Sequence, residues 1–155
     1  MNITRYQKLF GVGPMGGIIS IVLFSLLFLL DRSCGHIAIT NNTKPVKVAG
    51  IVLIGLWICW QAWAMHTIKS WWIHSRLCTT GPFHLVRHPI YAGAIWLGGF
   101  GVALLFNSWI VLLEPILAYP IMSILVRREE KMMLGIFGEE YKQYASRTGR
   151  FFPRI

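Results

Sequence analysis

The chain has 155 residues, 55% of them hydrophobic and only 14% charged, with a formal net charge of +9. A soluble domain carries about 25% charged residues, so this composition excludes an ordinary soluble domain and points to an integral membrane protein. The three cysteines, Cys34, Cys59 and Cys78, form no Cys-x-x-Cys pair, which argues against a disulfide framework or a zinc cluster.

Taken in chain order, the apolar runs predict about four transmembrane helices in a single membrane domain, residues 1–155. The first spans about 15–30, apolar apart from Ser20 and Ser25 and followed by Asp31-Arg32 rather than by a signal-peptide cleavage site. A polar connection leads to the second helix, about 46–65. Gly50 and Gly55 are small packing positions there, and Trp57, Trp60 and Trp63 form a stripe down one face. Lys69, Trp71, Trp72, His74 and Arg76 then mix aromatic and basic side chains, a composition that suits the headgroup layer. Helices three (90–106) and four (109–126) are joined by the uncharged turn Asn107-Ser108. They are expected to form a hairpin, close-packed through Gly93, Gly98, Gly99 and Gly101 and kinked by Pro115 and Pro120. Glu114, about one turn past Asn107-Ser108, is expected to reach the far surface. From Arg127 to residue 155 the composition turns polar, and this segment reads as an amphipathic helix or helix pair.

Of the fifteen Lys and Arg residues, all but Arg32, Lys44 and Lys47 fall on the side that holds both chain ends. The positive-inside rule therefore places the termini, the 75–91 loop and the 127–155 segment in the cytoplasm. The basic residues sit at the ends of apolar runs, so they are read as contacts to anionic lipid headgroups and not to nucleic acid.

The loop Leu77-Cys-Thr-Thr-Gly-Pro-Phe-His-Leu-Val-Arg-His-Pro-Ile-Tyr91 is the polar stretch around which the helices are arranged. Gly81-Pro82 marks a turn. Pro89 pushes His88 toward extended backbone and suits the first position of a helix. Arg87 and His88 thus stand at a helix entrance beside unpaired N–H groups, a setting that suits an anion or a carboxylate. His84 and His88 have the four-residue spacing of a metal-binding helix face, but Pro89 keeps them off one regular turn, and no metal is expected. No Gly-x-Ser-x-Gly or strand-borne Gly-x-Gly-x-x-Gly occurs, so neither a serine hydrolase nor a Rossmann fold is indicated.

Arg87-His88-Pro89-Ile90-Tyr91, followed by Glu129-Glu130 and by Phe137-Gly138-Glu139-Glu140-Tyr141 with Tyr144, Arg150 and Pro153, resembles the isoprenylcysteine carboxyl methyltransferase and phospholipid N-methyltransferase superfamily. The resemblance covers about Ser75 to Pro153. It implies an all-α integral membrane enzyme that uses S-adenosylmethionine in a pocket closed by a helical cytoplasmic C-terminal segment, with a lipophilic substrate entering from the bilayer. The positions matching the cofactor contacts are Ser75, Arg76, Leu77, Cys78, Phe83, Arg87, His88, Pro89, Ile90, Tyr91 and Glu129. The carboxyl methyltransferases place a basic residue four positions before the matching glutamate; here that position is Leu125. Arg127 and Arg128 are the nearby candidates for holding an acceptor, and Glu130 or His88 for taking a proton from an amine. Two other readings compete. One is a membrane reductase of the sterol reductase type using a reduced nicotinamide dinucleotide (NADPH), whose C-terminal half is similar in its His-Pro-x-Tyr loop. The other is a non-enzymatic membrane protein that binds lipid or a partner.

Overall fold

The computed structural model describes residues 13–72 and 76–154, and all regular secondary structure among them is helical. The helices are α1 (Gly13–Ser33), α2 (Thr43–Trp72), α3 (Pro82–Leu85), α4 (Pro89–Gly93), α5 (Phe100–Phe106), α6 (Leu113–Phe137) and α7 (Glu139–Arg147). A π-helical turn, Ala94–Gly99, joins α4 to α5 without a break. Three stretches are long and apolar enough to cross a membrane: Met15–Ser33, Thr43–Lys69 and Pro89–Phe106. Ile18, Ile21, Leu26, Ile51 and Ile58 project outward from the first two, a surface that suits acyl chains and not water.

Two boundaries and the depth of one side chain differ from the sequence reading. Helix α2 runs on to Trp72, beyond the expected end at residue 65. Helix α6 does not stop at Arg127. It continues through Arg127–Glu130 to Phe137 and ends where Gly138 takes a positive φ. Arg, Glu, Lys, Met and Leu are good helix formers, so the change from apolar to charged marks a change of surroundings and not of backbone. Helix α6 also passes through Pro120. The third difference is Glu114, which is buried instead of reaching the surface. Its carboxylate packs against Gly99, where an added Cβ would lie 2.7 Å from Oε2.

The tryptophan stripe of α2 explains how the third membrane segment docks. Trp57 covers Gly98, and Trp60 covers Gly93 so closely that a Cβ there would lie 2.4 Å from the Trp60 ring. Further along, Gly50 meets the backbone of Gly101 and Leu105. Glycine therefore supplies hollows into which indole rings and backbone fit. Trp60 Nε1 also donates to the Pro89 carbonyl at 2.7 Å, tying α2 to the entrance of α4.

The opposite end of the bundle is closed by a polar clasp. Asp31 is buried and accepts from Ser108 Oγ at 2.7 Å, with His36 Nδ1 also at 2.7 Å. Asn107, in the left-handed region at φ 52°, exchanges hydrogen bonds with Thr40. The clasp ties α1 to the α5–α6 hairpin at one end. The charged half of α6 meets the 76–91 loop at the other end.

Candidate active site

The loop is shaped by its own turn chemistry and by the C-terminal segment. Gly81 has φ 57°, and the Thr80 and Gly81 carbonyls accept from the Phe83 and His84 N–H groups. Residues 86–88 then pair with residues 149–150 of the C-terminal segment. Arg87 N–H donates to the Gly149 carbonyl at 2.8 Å, and His88 N–H to the Arg150 carbonyl at 3.1 Å. Val86 and Gly149 form a parallel bridge. Tyr144 adds a side-chain tie, its hydroxyl donating to the Phe83 carbonyl at 2.6 Å. The C-terminal segment is thus a strap laid across the loop. An apolar layer seats it: Val86, Tyr91, Ala92, Ile95, Ala118, Met122, Val126 and Phe151 form one buried cluster.

Above that layer lies a charged network. Glu130 Oε1 accepts from Arg87 Nε at 3.1 Å and Nη2 at 2.8 Å. Arg150 donates to both Glu130 oxygens, at 3.0 and 2.5 Å. Arg87 Nη1 also donates to the Ala145 and Thr148 carbonyls. Burial opposes charge on Glu130, but His88, Arg150 and Arg87 outweigh it and hold the carboxyl far below the usual carboxylate range. Glu130 is therefore an anchor for two guanidinium groups and unsuited to act as a base.

Glu129 and His88 face each other one residue along. His88 Nδ1 lies 3.4 Å from Glu129 Oε2, and Nε2 lies 3.4 Å from Glu130 Oε1. Nε2 is buried without an aligned hydrogen-bond partner. Burial pushes the imidazole toward neutrality, yet the two carboxylates prevail and raise its pKa. Tyr91 donates its hydroxyl to Glu129 Oε1 at 2.8 Å. Beneath these groups the α4 entrance offers the Ile90 and Tyr91 N–H groups, which have no intrahelical acceptor. The arrangement presents carboxylate, imidazole, phenol and helix N–H groups side by side, a set that suits a ligand carrying both an ammonium and a carboxylate.

The candidate residues separate clearly. Arg87, His88, Pro89, Ile90, Tyr91, Glu129 and Glu130 converge. Phe83 is buried beside Ala64 and Cys78, next to this group, and Leu77 is also buried. Burial pushes the Cys78 thiol up, which leaves it a packing group and not a thiolate nucleophile. Arg76 is exposed, and Ser75 lies outside the described residues. Arg127 and Arg128 are exposed on α6, apart from the network. The guanidinium groups at the site are Arg87 and Arg150, and both are held by Glu130. Among the described residues no group of three His, Cys, Asp or Glu side chains is arranged to hold a metal ion. The buried Thr148 and Phe151 of the strap carry no signal in the sequence, whereas Arg150 and Tyr141, whose hydroxyl burial and Glu130 push up to about 12, belong to the motif that carries the resemblance.

Comparison with known proteins fits this geometry. The family model described as phospholipid methyltransferase matches residues 45–140. The chain is 31% identical over 153 residues to the cobalt-zinc-cadmium resistance protein CzcN of Cupriavidus metallidurans, covering 99% of this chain and 66% of that one. It is 29% identical over 158 residues to the nickel-cobalt-cadmium resistance protein NccN of Alcaligenes xylosoxydans xylosoxydans, covering 99% and 67%. It is 29% identical over 122 residues to the protein-S-isoprenylcysteine O-methyltransferase of Saccharomyces cerevisiae, covering 73% and 51%. The chain thus spans about two thirds of the length of the two resistance proteins and about half that of the yeast enzyme. No solved structure matches.

Proposed function

Because the chain belongs to the phospholipid methyltransferase family, we propose that it is a membrane enzyme that transfers a methyl group from S-adenosylmethionine to a lipophilic acceptor. The observation that carries this reading is the meeting of Glu129, His88 and Tyr91 at the α4 entrance, closed over by the strap. The residues fit the methyl donor: Glu129 suits its ammonium group or ribose diol, and the Ile90 and Tyr91 N–H groups suit its carboxylate. The buried, unaligned Nε2 of His88 is a polar atom that a bound ligand would satisfy.

When bound, S-adenosylmethionine would supply a methyl carbon on a sulfonium: the lone pair of a neutral amine acceptor, which has already given up its proton to water, forms the new bond, sulfur keeps the pair of the broken one, and the acceptor leaves as the methylated ammonium. The protein's part is to orient the reactants and to exclude water. The strap covers the loop, and the apolar cluster beneath it keeps the reacting region dry. Glu130, fixed by two arginines, holds the strap in place and leaves chemistry to its neighbours.

The acceptor is read as an amine of a membrane amphiphile and not as a carboxylate. A carboxylate acceptor needs an available guanidinium, and both site arginines are committed to Glu130. At the position where carboxyl methyltransferases carry a basic residue, Leu125 packs partly buried against the apolar cluster. The test is transfer of labelled methyl from S-adenosylmethionine to bilayer-embedded amines and prenylcysteine carboxylates. The reading expects label on the amine and little on the carboxylate; label on the carboxylate alone would refute the acceptor assignment.

A further inference from the structure

Helix α1 reaches the candidate site through one glycine. A Cβ at Gly16 would lie 3.0 Å from the Met122 sulfur, 3.1 Å from its methyl carbon and 3.6 Å from a Tyr91 ring carbon. Gly16 is buried, and so are Met122 and Tyr91. The next residue, Gly17, is exposed, and a Cβ there meets nothing within 4 Å. Of these two glycines, only Gly16 turns bare backbone toward Met122 and Tyr91. Helix α1 lies outside the stretch matched by the family model, residues 45–140, so this contact is separate from the motif residues.

The approach at Gly16 belongs to a whole helix face. Gly16, Ser20, Leu23, Leu27 and Asp31 recur at helical spacing and share one side of α1. Asp31 accepts from Ser108 at the far end, and Ser20 hydrogen-bonds the Glu114 carboxyl part-way along. Leu23 packs on the apolar cluster that holds both Met122 and Tyr91. The face that carries Gly16 is therefore tied to α6 and the turn before it at several depths.

Tyr91 gives this contact its consequence. Its hydroxyl donates to Glu129 Oε1 at 2.8 Å, and its ring lies 5.9 Å from the His88 ring. A methyl group at position 16 would have to push the end of Met122 aside by a few tenths of an ångström. Close-packed interiors pass such shifts on to their neighbours. Met122 shares its buried cluster with Tyr91, so the shift reaches the ring that carries the hydroxyl. We infer that Gly16 is a positioning residue of the methyl-donor site: by leaving room for Met122, it lets the Tyr91 hydroxyl hold the Glu129 carboxylate in place. This inference rests on the reading of Glu129 and Tyr91 as part of the S-adenosylmethionine pocket, and it brings α1 into that pocket's support.

The test uses the full chain in detergent, labelled with 3-fluorotyrosine. Fluorine NMR reports the Tyr91 ring, whose resonance is the one missing from Tyr91→Phe, and calorimetric titration reports S-adenosylmethionine binding. Gly16→Ala is expected to move the Tyr91 resonance and to weaken binding several-fold, whereas Gly17→Ala changes neither. In the Tyr91→Phe background, Gly16→Ala is expected to bring no further loss, because the hydroxyl that it misplaces is gone. A general loosening of the fold would instead weaken binding by the same factor in both backgrounds. Met122→Leu conserves volume and changes the same contact from the α6 side, and it is expected to move the resonance and weaken binding as well. Unchanged binding in a cooperatively melting Gly16→Ala, or in Met122→Leu where Gly16→Ala does not fold, would overturn the inference. So would an equal loss from Gly16→Ala with and without the Tyr91 hydroxyl. Absence of S-adenosylmethionine binding in the unaltered protein would instead refute the proposed function.

Discussion

Arg87 and Glu130 meet across 43 positions of the chain, with Nη2 of the arginine 2.8 Å from Oε1 of the carboxylate. This pair joins the loop to helix α6, and Arg150 joins the strap to the same carboxylate. One side chain therefore fastens three segments. Truncating Glu130 to Ala leaves two guanidinium groups and an imidazole facing each other; breaking a fully buried pair costs about 3–5 kcal/mol, and this partly buried one is expected to cost less than that. Arg150→Ala is expected to cost less, because its side chain is 33% exposed against 14% for Arg87. Thermal melts in detergent check the order: Glu130→Ala lowest, then Arg87→Ala, then Arg150→Ala.

The two shifted groups set opposite limits on pH. Glu130 has a lowered pKa, so its contribution is present above its ordinary value of 4.5 and is lost as pH falls through the folded value. His88 has a raised pKa, so its contribution is full below 6.5 and is lost as pH rises through the folded value. Stability should therefore be greatest between these limbs. Glu130→Gln should flatten the acid limb and His88→Gln the alkaline limb, as read from melting temperature against pH.

Tyr91→Phe removes one hydroxyl and keeps the ring that packs in the apolar cluster. The hydroxyl's bond to Glu129 is charge-assisted. Such a bond is worth about 1.5–3 kcal/mol, of which about 1.4 kcal/mol is tenfold in affinity. The variant, which leaves Glu129 without this positioning contact, is expected to fold and to bind S-adenosylmethionine roughly tenfold more weakly. Calorimetric titration of both proteins measures it.

Two glycines of α2 make a matched pair. A Cβ at Gly50 would lie 2.7 Å from the Leu105 backbone nitrogen and 2.8 Å from the Gly101 carbonyl oxygen, whereas one at Gly55 meets nothing within 4 Å. Gly50→Ala forces backbone apart and is expected to destabilise by about 1–3 kcal/mol. Gly55→Ala gains helix propensity and is expected to be neutral or stabilising by up to about 1 kcal/mol. The difference is read from unfolding of each variant in mixed micelles.

The parts of the site that sequence exposes are those whose residue type is dictated by local geometry. Pro89 starts a helix, so Arg87, His88 and Tyr91 are placed at its entrance before any tertiary contact is known. Glu129 and Glu130 were legible as a pair because they recur with that loop in a recognisable superfamily. Their division of labour was not. Only the fold shows that Glu130 lies between Arg87 and Arg150 while Glu129 turns to Tyr91. Closure by the C-terminal segment is implied by the resemblance, but its manner is not legible: the strap's grip on residues 86–88 runs through backbone groups of Gly149 and Arg150, which carry no side-chain signature. Arg127 and Arg128 drew attention because they adjoin the glutamates in sequence, but adjacent helical residues point in different directions. The depth of Glu114, whose carboxyl lies against Gly99 at the end of the π-helical turn, is set by tertiary packing that no local sequence signal carries.

On the proposed function, Glu129 at the α4 entrance belongs to a pocket for S-adenosylmethionine. Its most direct test is calorimetric titration of the purified protein with S-adenosylmethionine and with its demethylated product, using a reduced nicotinamide dinucleotide as control. Saturable binding of the first two only is expected, weakened by Glu129→Ala in a variant that still melts cooperatively. Binding of the nicotinamide dinucleotide instead, or donor binding untouched by Glu129→Ala, would contradict it.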